Sequence, residues 1–375
     1  FVEKIQIQNN TKTHDKVIRR ELRIRPGGRF DGKKIEKSKQ RLENLGYFEE
    51  ITYDTEPSDT ATNRRDLIFR VKEKRTGELS FGGGVSSIDT FMGFAEISQR
   101  NFDLFNWPRF TGGGQTLALR GQIGTINQQY DFNFVEPYLF DKPVTMDFNT
   151  YYTVRDDYNV DFKEKRLGFS DIFSRLFKDV FRVGGGYVLE RVNLTDVAGD
   201  APKDVTDFEG VNWLSRIRAF TSFDNRDNVF NPTKGRTINF GGDMVGGFLG
   251  GDQDYYILRA AYTEYLSFRK KHMIEFQARV STAQEFGSSP SVPVFDRFYA
   301  GGLGTIRGYG YRRVSPKDND NPVGGQTLGI VNIDYSFPVP KLDMFRGVVF
   351  VDTGFVNPDA YDFGFGDVVV SVGPG

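Results

Sequence analysis

A chain of 375 residues with 49 Lys+Arg against 50 Asp+Glu and no cysteine is neither a nucleic-acid-binding polycation nor a disulfide scaffold. Its bias lies in 42 Gly, 36 Phe and 17 Tyr at a mean hydropathy of only −0.45, which suits short aromatic strands joined by polar loops. No run of 18 or more apolar residues exists, which excludes a transmembrane helix. A membrane barrel stays open, because its strands need only about 9 to 11 alternating residues each.

Residues 1–75 read as a small domain of order strand, helix, helix, strand, strand. FVEKIQIQ alternates as a strand, and Thr13 or Asp15 is expected to cap a short helix carrying Val17, Ile18 and Leu22. Pro26, Gly27 and Gly28 break that helix. Asp31 caps a second one, whose Ile35, Leu42 and Leu45 share a face until Gly46 ends it. Segments 48–54 and 66–73 follow as strands, the latter alternating through Leu67, Phe69 and Val71. Such a sheet leaves a strand edge open, so the domain is either a packing spacer or a docking site for extended polypeptide.

From Thr76 to the end the chain becomes a series of alternating segments separated by turn residues, predicting a second domain over 76–375. In 144–155, Val144, Met146, Phe148 and Tyr152 oppose Asp147, Asn149, Tyr151 and Arg155; in 273–282, Ile274, Phe276, Ala278 and Val280 oppose Glu275, Gln277, Arg279 and Ser281. About fourteen such segments are countable, near 77, 92, 115, 129, 145, 165, 181, 212, 236, 255, 273, 327, 347 and 367. Soluble sandwiches also alternate, but a barrel of that many strands is too wide for side chains to fill, so its polar face points to a wet lumen and its aromatic face to lipid. Short turns such as 141–145, 231–235 and 269–272 alternate with long connections at 195–210 and 284–326, as in outer-membrane barrels. The chain stops at SVGPG with no terminal strand ending in an aromatic, and bacterial barrels have even strand counts and a paired last strand, so the expectation is mainly β, a transmembrane antiparallel barrel whose last strands are missing here.

The longest connection holds FDRFYAGGLGTIRGYGYRR (295–313), followed by NPVGGQ (321–326) and a strand. This resembles the sixth extracellular loop of BamA-type outer-membrane-protein assembly factors, whose hallmark of an aliphatic residue, Arg, Gly and an aromatic reads here as Ile306, Arg307, Gly308 and Tyr309. The segment FDNRDNVFNPTKG (223–235) looks like that family's turn before the middle strands, and the first domain looks like a POTRA domain with βααββ order. Relatives that export a partner through the pore share the loop signature. Parity adds to the resemblance: Val331, Ile333, Tyr335 and Phe337 form an oily face, so Asn332, Asp334 and Ser336 point into the lumen. In 347–355, Val349, Val351 and Phe355 are outward, and Asp352 is inward. The resemblance implies a loop that folds back into the barrel, where Arg307 would bridge Asp334 and Asp352 rather than lie solvated.

Covalent catalysis has little material. His14, at a helix start, and His272, in a basic turn, read as solvated, no metal-ligand spacing occurs, and the glycine runs lack the Lys and helix of a phosphate loop. The expectation is therefore no enzyme, no cofactor, no metal and no nucleic acid. The resemblance implies a bacterial outer-membrane barrel of sixteen strands with its N-terminal domain in the periplasm. It would receive unfolded outer-membrane β-barrel proteins and help them insert into outer-membrane lipid, beside the accessory lipoproteins of an assembly complex. The alternative is a pore or secretion channel of two-partner-secretion or translocation-module type. The first barrel strand, Gly77 to Ser86, carries Gly82, Gly83 and Gly84, which either weaken a lateral seam or allow a bend.

Overall fold

The computed structural model describes residues 1–58, 63–85, 91–156, 162–268, 271–318, 320–339 and 345–374. The small domain contains β1 (Val2–Gln8), α1 (Asp15–Arg19), α2 (Gly32–Leu45), β2 (Phe48–Pro57) and β3 (Arg65–Glu73). Its sheet runs β1-β3-β2, with β1 parallel and β2 antiparallel to the central β3. Leu67, Phe69 and Val71 alternate on β3 and pack with Val17, Ile18, Ile35 and Leu42 into one apolar core. Helix α2 starts where the Asp31 carboxylate accepts from the Lys33 and Lys34 amides, and stops at Gly46, whose φ of 72° is left-handed.

Helix α1 departs from expectation. Its N-cap is His14 with no side-chain cap bond, and neither Thr13 nor Asp15 caps it. Thr13 is engaged elsewhere: its amide donates to Glu73 Oε1 at 2.6 Å and its hydroxyl accepts from Asn101 Nδ2 at 2.8 Å. Asp15 lies inside the first turn and pairs with Arg19 one turn on, at 2.5 Å.

The following strands are β4 (Gly77–Gly84), β5 (Met92–Phe102), β6 (Thr111–Gly124), β7 (Asn127–Glu136), β8 (Thr145–Asp156), β9 (Lys163–Phe177) and β10 (Phe181–Thr195). After a short helix α3 (Lys203–Thr206) come β11 (Gly210–Asp224), β12 (Gly235–Val245), β13 (Tyr255–Phe268) and β14 (His272–Glu285). The two-residue ladder β15 (Lys317–Asp318) and β16 (Asn321–Pro322) precedes β17 (Thr327–Pro338), β18 (Arg346–Asn357) and β19 (Val369–Pro374). One 14-stranded sheet joins β4 through β14 and β17 through β19, each strand beside its predecessor in this sequence, with β4 and β19 at its ends. The fourteen strands are those that alternation locates.

Turn chemistry fixes register. Between β9 and β10, Lys178 and Asp179 both have positive φ and Val180 donates to the Phe177 carbonyl, the tight turn whose twist matches its strands. Register then fixes faces. Phe240, Val280, Ile333 and Val349 are exposed, while Arg216, Asp243 and Asp352 on the opposite parity are buried. This inverts a soluble sheet and agrees with a lipid-facing outside around a polar inside. Two details differ from parity alone: Val144 precedes β8, and Phe355, on the outward parity of β18, is buried against the Phe365 ring at 5.9 Å. Residues 269–270 of one short turn lie outside the described residues.

By packing the chain divides into two units, one of Phe1–Phe81, Ala95–Arg120 and Phe132–Pro137, the other of Gly82–Phe94, Gly121–Asp131 and Tyr138–Gly375. Residues 138 onward all belong to the second.

Candidate functional site

Residues 286–326 connect β14 to β17. Ile306 is fully buried in an apolar cluster with Ala300, Val314, Leu328, Ile330 and Val356, which seats the loop tip. Gly308 has φ 86°, and a Cβ there would stand 2.7 Å from Ser371 Oγ, so backbone geometry and space both call for glycine. Tyr309 packs against the same cluster, its hydroxyl 3.5 Å from the Val370 carbonyl.

Between Ile306 and Gly308, Arg307 points at two carboxylates. Its backbone N–H and Nε donate to Asp352 Oδ2 at 2.9 and 2.7 Å, and Nη2 donates to Asp352 Oδ1 at 2.6 Å. Toward Asp334, Nη1 donates to Oδ2 at 3.1 Å and Nη2 to Oδ1 at 2.5 Å. Both carboxylates are therefore held by the fork geometry that a lysine cannot reproduce. The guanidinium carbon also lies 3.9 Å from the centre of the Phe350 ring. Asn332 completes the cage: its amide donates to Asp352 Oδ1 at 2.8 Å and to the Thr305 carbonyl at 2.7 Å, while its oxygen accepts from Arg279 at 2.9 Å. Arg279 in turn donates to the Gly304 carbonyl. Asp352 is completely buried, so its charge stands only because these donors surround it.

A second attachment was not singled out from sequence. Ten residues before Ile306, Asp296 enters a ring of strand residues: Oδ1 is 3.1 Å from Arg166 on β9, and Oδ2 is 2.9 Å from Arg216 on β11 and 2.5 Å from the Tyr255 hydroxyl on β13. Glu190 bridges Arg166, Arg216 and the Tyr151 hydroxyl from β10. Asp243 on β12 gathers Arg218 at 2.7 Å and Arg259 at 2.9 Å. The first of these arginines flanks β11 Ile217, which faces out, so alternation carried a signal for their direction. It carried none for their partners, which depend on register across five strands. Arg297 follows Asp296 and reaches Asp204 in α3 and the Val292 carbonyl.

The seam residues have a different character. Gly77, Gly82, Gly83 and Gly84 lie on β4, an end strand of the sheet, and all four are exposed. A Cβ on Gly82 would meet the Phe94 ring of β5 at 2.8 Å, so that glycine accommodates an aromatic neighbour; a Cβ on Gly77 would meet Gln99 at 2.8 Å, and one on Gly83 the Met92 carbonyl at 3.2 Å, whereas Gly84 has open space. Ser86 lies outside the described residues. His14 stands 3.3 Å from Asp103, and His272 Nδ1 lies 2.7 Å from the Tyr335 hydroxyl, its ring clustered with those of Phe268 and Tyr335. Among the described residues no group of three His, Cys, Asp or Glu could hold a metal.

Comparison with known proteins agrees with this architecture. Residues 1–74 match the surface antigen variable number repeat, a POTRA model, and residues 109–375 match the Omp85 superfamily domain. The chain is 30% identical over 370 residues to the outer membrane protein assembly factor BamA of Nitratidesulfovibrio vulgaris, covering 98% of this chain and 45% of that protein. It is 27% identical over 381 residues to its namesake in Neisseria meningitidis, covering 95% and 46%. The chain thus spans about half the length of the curated relatives it matches. The crystal structure of BamA from Haemophilus ducreyi lacking POTRA domains 1–3 superposes with a TM-score of 0.78 at 23% identity, over 100% of this chain and 77% of that one; CdiB from Escherichia coli gives 0.62 at 11%, over 100% and 68%. With a single domain model matching most of its length, the chain belongs to the Omp85 superfamily.

Proposed function

We propose that this chain is the membrane-inserting part of an outer-membrane protein assembly factor, with its small domain in the periplasm. It receives unfolded β-barrel proteins, works beside accessory lipoproteins, and promotes insertion into outer-membrane lipid without covalent chemistry. The observation that carries this reading is the Arg307 cage, set in a chain whose likeness to proteins named as BamA runs along nearly its whole length. What favours assembly over export is that the relatives at 30% and 27% identity are named as assembly factors, while the cage supplies the pinned loop that such a machine would need. The lateral seam is proposed at β4, where Gly82, Gly83 and Gly84 stand in succession and weaken strand packing.

The test is reconstitution. Liposomes carrying the protein should speed insertion of an urea-unfolded barrel protein over empty liposomes, and Arg307→Ala should lose most of that gain while Arg307→Lys retains part. Ion conductance or partner export without accelerated insertion would favour the channel reading instead.

A further inference from the structure

The turn between β11 and β12 is built more firmly than a connector needs to be. Asp227 accepts four hydrogen bonds, from the amides of Asn228, Thr233 and Lys234 at 3.0, 2.8 and 3.1 Å and from the Thr233 hydroxyl at 2.5 Å. Those bonds, led by the Thr233 hydroxyl, hold its carboxyl well below the usual carboxylate range. Asn228 Oδ1 accepts from the Phe230 and Asn231 amides at 2.8 and 3.0 Å. Arg226, fixed by Asp224 at 3.0 and 2.7 Å, donates to the Val229 carbonyl at 3.3 Å. Gly235 closes the turn with φ 103°, and a Cβ there would lie 2.6 Å from the Asn225 carbonyl.

What this frame presents is apolar. Phe230 is 97% exposed and Val229 is 61% exposed. A scattered surface apolar residue needs no explanation, but this Phe stands on backbone whose amides are already bonded, and the strands that carry the turn put apolar residues on the outward face of the sheet. Phe223 pairs with Ile238 and Thr221 with Phe240 on that face, and Phe240 is itself exposed. Lys234, also exposed, adds a cation four residues from the Phe. An aromatic and a lysine at the end of a lipid-facing hairpin match the physical chemistry of a membrane interface, where rings sit at headgroup depth and cations meet phosphates. Because the turn is ordered beforehand, immersion costs little further conformational entropy.

We propose that the turn 225–234 is a lipid anchor, with Phe230 and Val229 seated at the glycerol and upper acyl level of a phospholipid monolayer and Lys234 among its phosphates. This rests on the membrane-barrel reading above and adds a defined lipid-contact point to it.

The chain has no cysteine, so single-site spin labels can be introduced without background. The protein carrying Phe230→Cys, Val229→Cys, Val280→Cys or Asp200→Cys would be labelled and reconstituted in phosphatidylcholine–phosphatidylglycerol vesicles, and collision with oxygen and with a water-soluble nickel chelate measured. At Phe230 and Val229, as at the wall position Val280, nickel access should be several-fold lower than at loop position Asp200, with oxygen access raised. Water-like access at 229 and 230 with lipid-like access at 280 overturns the anchor and leaves the barrel reading intact. An immobilised label shielded from both reagents overturns it in favour of a protein contact. Water-like access at 280 overturns the barrel reading itself, and the anchor with it.

Discussion

The small domain and the inner face of the large sheet bury side chains by opposite chemistry. In the first, Val17, Ile18, Leu42, Leu67 and Phe69 are dry and apolar, and burial of area is enough to hold them. In the second, Glu190, Arg216 and Asp243 are buried but charged, Arg166 and Asp296 are largely covered beside them, and each is tolerable only because its neighbours carry the opposite sign. The difference follows from what lies outside. A small domain in water must hide its apolar residues, whereas a sheet whose outer surface meets lipid turns those residues outward and is left to pair charges within. An apolar core fails gradually as atoms are removed; a charge lattice fails when one partner goes.

That contrast can be broken at its strongest points. Phe69→Ala should cost about 3 to 5 kcal/mol and unfold the small domain first, read as a lowered urea midpoint with the large sheet unchanged. Asp296→Asn, which keeps volume but removes a charge, should cost about 3 to 5 kcal/mol by leaving Arg166 and Arg216 under-compensated. Limited proteolysis within 286–326 would register it, and wild-type resistance there would mean that the lattice is not needed to hold the loop. On the outer face, Val280→Arg should cost about 2 to 4 kcal/mol if that position lies near the bilayer midplane, while folding in detergent changes less. The smallest effect concerns pH. Glu73 feels burial, which raises its pKa, but hydrogen bonds from Thr13, Lys12 and Thr11 outweigh it and hold the group below its ordinary 4.5. A folded pKa below the unfolded one adds stability that is present above about 4.5 and lost as pH falls through the folded value. Wild type should therefore lose stability on acidification below about 4.5 relative to Glu73→Gln, seen as converging denaturation midpoints.

Much of this was legible in sequence because parity is local. Alternation located fourteen strands, set Asp334 and Asp352 inward, and placed Ile333 and Val349 outside. The caps show the limit. Asp31 reads correctly because the amides that donate to it are two and three residues away, while Thr13 does not, because Glu73 and Asn101, far along the chain, compete for it. Asp296 was missed for the same reason: nothing near it in FDRFYAGG distinguishes a lattice member from a solvated loop acid. Its partners come from β9, β11 and β13, and the meeting depends on a register that no single segment contains.

The two attachments of the long loop also differ in when they become possible. Every strand residue holding Asp296 precedes it in the chain: Arg166, Arg216 and Tyr255. Both carboxylates holding Arg307 follow it, at Asp334 and Asp352. A chain delivered N-terminus first therefore has the base of the loop ready to fasten as soon as Asp296 arrives, while the tip stays loose until two more strands have been laid down. The loop thus has a built-in order of fastening, base before tip.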